Sequence, residues 1–249
     1  MSTLYAESVK LRRSLAWPMV VLLPVLLVLA GAAPRLAGGE PPRDGWHTVW
    51  LQSVGFYGLF PLAIGIGILA SLVWRVEHQG GNWNALVTGP SGAARIVIAK
   101  GSVVAGLAAI MQVVLLAAVI AVGKAAFGLP GMLPGEYFVV TGLLIAATVP
   151  VAAIQSAVSM LSRSFAAPIA VALVGSGIST AGLMTVGNVA VVSPYGVATR
   201  ASLLGTGSLV DSGRLTATDG TVILAAATAL TVATLALTSA VLHRTDTRA

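Results

Sequence analysis

The residues best equipped for chemistry lie together in one polar break, Arg75–Arg95, between two long apolar segments: Glu77, His78, Trp83, Asn84, Leu86, Pro90 and Arg95. An indole with a hydrophobic neighbour and flanking charge suits docking of a protein surface, where a buried aromatic anchors and charged neighbours orient. Trp83 stands in mid-break, well away from either apolar flank, so anchoring at a membrane interface does not explain it. An ordinary solvated loop would use the same residue types.

Most reactive chemistry is missing elsewhere. The chain has no cysteine, which removes disulfides, thiolate metal sites and S-lipidation. It has no His-Glu-x-x-His zinc pattern and no Gly-x-x-x-x-Gly-Lys-Ser/Thr phosphate loop, so it holds no Walker-type nucleotide site of its own. His47, His78 and His243 fall in loops or the tail, leaving no base for a serine nucleophile inside an apolar segment. The middle of every apolar segment is also free of Asp, Glu, His, Lys and Arg. Ion-coupled carriers place such groups there, so a secondary carrier fits poorly. Apart from Lys100, close to the border of its segment, the polar residues in these segments are uncharged. Gln112, Gln155 and Asn188 are candidates for a substrate path, set against the simpler reading of hydrogen bonds between helices, worth about 0.6–2 kcal/mol each.

The elements that must position these residues follow from composition. Of the 249 residues, 57% are hydrophobic and only 9% charged, against about 25% charged in a soluble domain. Six apolar segments stand out, near 15–33, 55–74, 96–122, 138–161, 165–192 and 221–242. At about 1.5 Å per residue each is long enough to cross a hydrocarbon core as a helix. Alternation of the barrel kind is absent. The net charge of +6 does not point to nucleic acid, because the basic residues cluster at segment ends and form no patch. Lys10, Arg12 and Arg13 before an apolar run also resemble a secretory leader, although the run is long and holds Pro18 and Pro24.

With both termini on one side, that side carries nine of the 14 Lys and Arg residues, including Arg75, Arg95, Lys100 and Arg163. The positive-inside rule then places the termini and the polar break in the cytoplasm. Leu4, Tyr5, Val9 and Leu11 oppose Glu7, Lys10 and Arg13 at helical spacing, which fits a short interfacial helix with Arg12 at its end; a merely basic juxtamembrane end is the alternative. Trp46, Trp50 and Trp74 lie at segment ends, as lipid-interface anchors do. Pro34–Thr48 reads as an irregular outside loop. Ser162-Arg163-Ser164 forces a tight inside hairpin, and the long fifth segment, with Pro168 and four glycines, is a candidate to break and re-enter. Residues 193–220 form the longest outside loop, with one or two helical turns over Val197–Leu204.

Taken together, these features resemble the permease subunits of ABC-2 type ABC exporters, nearest to the branch that handles lantibiotics and related antimicrobial peptides. The resemblance runs the whole length. It is carried by the entry helix with Glu7, Lys10, Arg12 and Arg13, by the hairpin at Arg163, by Pro194 before the last segment and, most specifically, by the order Glu77, Trp83, Leu86, Pro90, Arg95, Ala99-Lys100. Gly80, Gly81, Gly89 and Gly92 depart from the family pattern and leave the length of any helix there open. The resemblance implies an all-α integral membrane fold: six transmembrane helices, an interfacial elbow and a cytoplasmic coupling helix. It implies that Glu77, His78, Trp83, Asn84, Leu86, Pro90 and Arg95 face a dimer of ABC ATPase subunits. ATP and magnesium would sit on that partner, with no cofactor and no catalysis in this chain. A second permease subunit, identical or related, would complete the assembly in the plasma membrane. A peptide-binding anchor, immunity or sensor protein that does not pump is the alternative reading.

Overall fold

The computed structural model describes residues 14–78, 93–209 and 211–246. These residues are helical, with short turns and no strand among them. In chain order the helices are α1 (Ala16–Gly38), α2 (Trp46–Trp50), a π turn (Leu51–Gly55), α3 (Phe56–Leu59), α4 (Pro61–His78), α5 (Ala93–Ala125), α6 (Gly135–Leu161), α7 (Ala166–Val186), a 3-10 turn (Gly187–Val192), α8 (Pro194–Leu203) and α9 (Ala217–Asp246). Six of them, α1, α4, α5, α6, α7 and α9, are long and apolar enough to cross a membrane.

Helix α6 is the hub and packs on α4, α5, α7, α8 and α9. It and α4 are buried along most of their length, whereas α1, α7 and α9 expose most of theirs. Leu22, Leu26 and Leu29 on α1, and Val171, Val174 and Ile178 on α7, present apolar side chains outward. Such a surface suits hydrocarbon, in which the helical backbone satisfies its own polar groups.

The elements depart from the sequence reading at four places, each with a physical reason. Helix α1 runs through Pro34 to Gly38, where Gly39 (φ 64°) closes it with backbone bonds from Gly39 and Glu40 to the carbonyls of Leu36 and Arg35. This is a Schellman-type end, and spanning helices tolerate proline better than soluble ones do. The second span opens at Pro61, because Phe60 (φ −137°) breaks the helix from α3, and proline is suited to a first turn since it lacks an N–H. Trp46, Trp50 and Trp74 are buried in the bundle and face no lipid. Trp46 donates to the Pro130 carbonyl (3.0 Å), Trp74 donates to Ser156 Oγ (2.8 Å) and Trp50 packs on the Tyr137 ring, 4.7 Å between centroids.

The fourth departure is the burial of the first part of the stretch read as an outside loop; the break near the outer end of the fifth segment and the helical turns after it agree with the sequence reading. Helix α7 ends at Val186, Gly187 turns the chain with φ 64°, and the 3-10 turn leads back along α7. Ser193 Oγ meets Ser179 Oγ at 3.0 Å and the Tyr195 ring lies against Gly175. From there α8 packs against α3, α6, α7 and α9, with every residue from Tyr195 to Leu203 buried. Gly58 admits the Ser202 side chain so closely that no Cβ would fit, and the Gly58 carbonyl accepts from Thr199 Oγ1 at 3.2 Å. Non-spanning backbone survives at depth only with such protein cover.

Candidate coupling site

The polar break is held at both roots. At its first root, Glu77 is 4% exposed and its carboxylate lies 3.0 Å from Lys100 Nζ of α5, which is 0% exposed. Lys100 also donates to the Val73 carbonyl (3.3 Å) and sits 5.3 Å from the centre of the Trp74 ring. A buried ammonium needs such a full set of partners, since desolvating an unpaired charge costs several kcal/mol. Trp74 carries the connection on to Ser156 of α6, and the His78 ring bonds the Ser159 carbonyl at 2.8 Å. Ser71 Oγ donates to the carbonyls of Gly67 (2.9 Å) and Phe165 (3.2 Å), which ties in the α6–α7 turn. The ends of α4, α5, α6 and α7 are thus joined at one corner of the bundle.

The sequence reading aimed Glu77 outward, and the structure turns its carboxylate inward onto Lys100. Arg95 is exposed and His78 half-buried at the same corner. Trp83, Asn84, Leu86 and Pro90 lie outside the described residues, as do Glu7, Lys10, Arg12 and Arg13 of the entry helix. Gln112 and Gln155 are fully buried. Gln112 Nε2 donates to the Tyr57 hydroxyl (3.1 Å) and the Ala108 carbonyl (3.1 Å), and Gln155 Nε2 donates to the Tyr195 hydroxyl (2.9 Å). Each Oε1 lacks a partner among the described residues. Asn188 falls in the 3-10 turn.

The sequence reading missed a second charged group. Arg200 of α8 bonds Asp211 (2.9 Å) and Asp219 (3.1 Å), with Arg200 and Asp211 buried. A signal existed: Thr216 and Asp219 form a capping box at the start of α9, each bonding the other's backbone N–H, and the Thr-x-x-Asp pattern is readable. Lys100 was legible as a charge but not as the partner of Glu77.

The fold and this corner define a multi-pass membrane protein whose paired spans flank a polar break. A family model described as ABC-2 family transporter protein matches residues 3–179, and the chain belongs to that family. It is accordingly the permease subunit of an ABC transporter, the transmembrane component and not the ATPase, and the family implies an ABC ATPase partner. Comparison with curated proteins and with solved structures finds no match.

Proposed function

We propose that this permease serves an ATP-driven exporter that moves an amphipathic or hydrophobic substrate (an antimicrobial peptide of the lantibiotic kind, a drug or a lipid) across the plasma membrane. The termini and residues 79–92 lie on the cytoplasmic side. A second permease, identical or related, completes the pathway, and a pair of ATPase subunits binds and hydrolyses ATP with magnesium. The observation that supports this reading is the brace beneath the break: Glu77 to Lys100, Trp74 to Ser156 and His78 to Ser159. A push on residues 79–92 by a soluble partner would reach three spans at once and not merely flex a loop. Trp83, with Leu86 and Pro90, is the anchor for that push, and Arg95 its exposed flanking charge.

The test is affinity purification of the tagged chain in mild detergent, with identification of what comes with it and an ATPase assay. A stoichiometric subunit carrying a phosphate loop, with ATP turnover, is expected. Reconstituted with that subunit, Trp83→Ala should lose transport while still inserting normally. Unchanged transport in that variant would remove the coupling role from this segment. A stable lone chain that protects cells without ATP hydrolysis would point to a non-pumping immunity protein.

A further inference from the structure

Beside the brace, a cavity of about 290 Å³ opens between the end of α4 and the α6–α7 turn. Ser71, Arg75, His78, Ser159, Ser162, Arg163 and Ser164 line it, and no carboxylate does among the described residues. Neither arginine pairs with a carboxylate among the described residues, and both are exposed. Ser159 is 2% exposed and lines this cavity, and its hydroxyl is buried with no hydrogen-bond partner among the described residues. A buried hydroxyl left so is unfavourable, and an acceptor oxygen of a bound ligand would satisfy it. Ser162 Oγ accepts from the Ser164 N–H at 3.2 Å, so its own proton is still available to an acceptor.

We propose that this cavity is a phosphate site that takes the headgroup of an anionic membrane lipid. Two guanidiniums and four serine hydroxyls, with no acid among the described lining residues, select an oxyanion, and arginine suits the tetrahedral oxygens of phosphate through paired N–H donors. The first turn of α7 borders the cavity through Phe165 and Pro168, and the positive end of a helix adds to the same preference. The membrane is the favoured source because the site lies at the end of the spans. Leu161 and Phe165 beside it are exposed, and α7 continues into the outward apolar residues Val171, Val174 and Ile178, along which acyl chains can lie. The proposal depends on the chain being a membrane protein and not on its direction of transport.

The experiment uses the full chain in neutral detergent, titrated with phosphatidylglycerol, with phosphatidylcholine and with inorganic phosphate, bound ligand being counted by native mass spectrometry. Phosphatidylglycerol should bind in preference to phosphatidylcholine. Arg75→Gln with Arg163→Gln should weaken it roughly 10-fold or more, since a charged hydrogen bond contributes about 1.5–3 kcal/mol. Ser159→Ala should weaken it a few-fold with no change in charge. The charge-matched control Arg43→Gln with Arg214→Gln, both exposed and outside the cavity, should leave binding unchanged. Should inorganic phosphate displace the lipid and show the same dependence on Arg75 and Arg163, the site stands with free phosphate as its ligand. Equal lipid binding by wild type, the double arginine variant and Ser159→Ala, together with no phosphate binding, would overturn the proposal. None of these readouts involves transport, so failure here is distinct from failure of the exporter reading.

Discussion

Among the described residues the bundle buries charge in two places, and the two clusters are built on different plans. Near the polar break, Glu77 and Lys100 come from two separate spans and pair directly. The other cluster, Arg200 with Asp211 and Asp219, is local: α8, the following loop and the first turn of α9 close on one guanidinium. Asp211 also accepts from the Gly207 and Gly213 N–H groups, and Asp219 is held in the Thr216 capping box. A buried ion pair is a weak source of net stability compared with apolar packing, while loss of one partner is costly. Each cluster therefore dictates which elements meet. The long-range pair fixes spans relative to one another, and the local trio holds the short helix α8 inside the bundle.

The largest effect should come from Arg200→Met. It leaves the buried Asp211 carboxylate and the partly exposed Asp219 without their cation, and breaking such a group costs about 3–5 kcal/mol. Unfolding in detergent should show that loss directly. Lys100→Met should destabilise somewhat less, because a single carboxylate is orphaned and Glu77 stands one residue from the end of α4. Adding Glu77→Gln should return most of the loss, with a coupling in the range of roughly 0.5–3 kcal/mol. The comparison is then sharpened by function. The Glu77→Gln, Lys100→Met pair should assemble with the ATPase yet transport several-fold more slowly per ATP hydrolysed. Full transport by that double variant would reduce the brace to packing and erase the difference between the two clusters.

The fold was largely legible in the sequence, because six long apolar runs with charge at their ends leave few alternatives to spanning helices. What composition hides is direction. Trp46, Trp50 and Trp74 sit at segment ends, yet each indole points into the bundle, where its ring or N–H finds protein. The stretch from Ser193 to Leu203 reads as part of an outside loop, with one or two helical turns, because it is polar, with Thr199, Arg200 and Ser202. These three are nonetheless buried, each meeting a partner contributed by another element or by its own turn. Glu77 has the same lesson: its charge is plain in the sequence, and its partner Lys100 lies 23 positions later on another helix. Local pattern yields elements; pairing across them depends on packing that no single segment encodes.

The smallest effect is also the one that links the two clusters. Gln155 and Ser156 are adjacent on α6, and their side chains diverge: Ser156 accepts from Trp74 of the brace, while Gln155 donates to Tyr195 at the start of α8. Displacement of α4 thus has a route through α6 to the helix that carries Arg200. Gln155→Leu should cost about 0.6–2 kcal/mol, and a double-mutant cycle with Tyr195→Phe should give a coupling of similar size, as hydrogen bonds between membrane helices do. Gln112 with Tyr57 is the matching control, since its bond joins α5 to α3 and leaves α6 and α8 out. If the Gln155–Tyr195 bond transmits motion, breaking it should slow transport more than breaking the Gln112–Tyr57 bond at equal loss of stability. A coupling near zero, with altered substrate preference in Gln155→Leu, would instead place that amide on the substrate path and leave the two clusters mechanically independent.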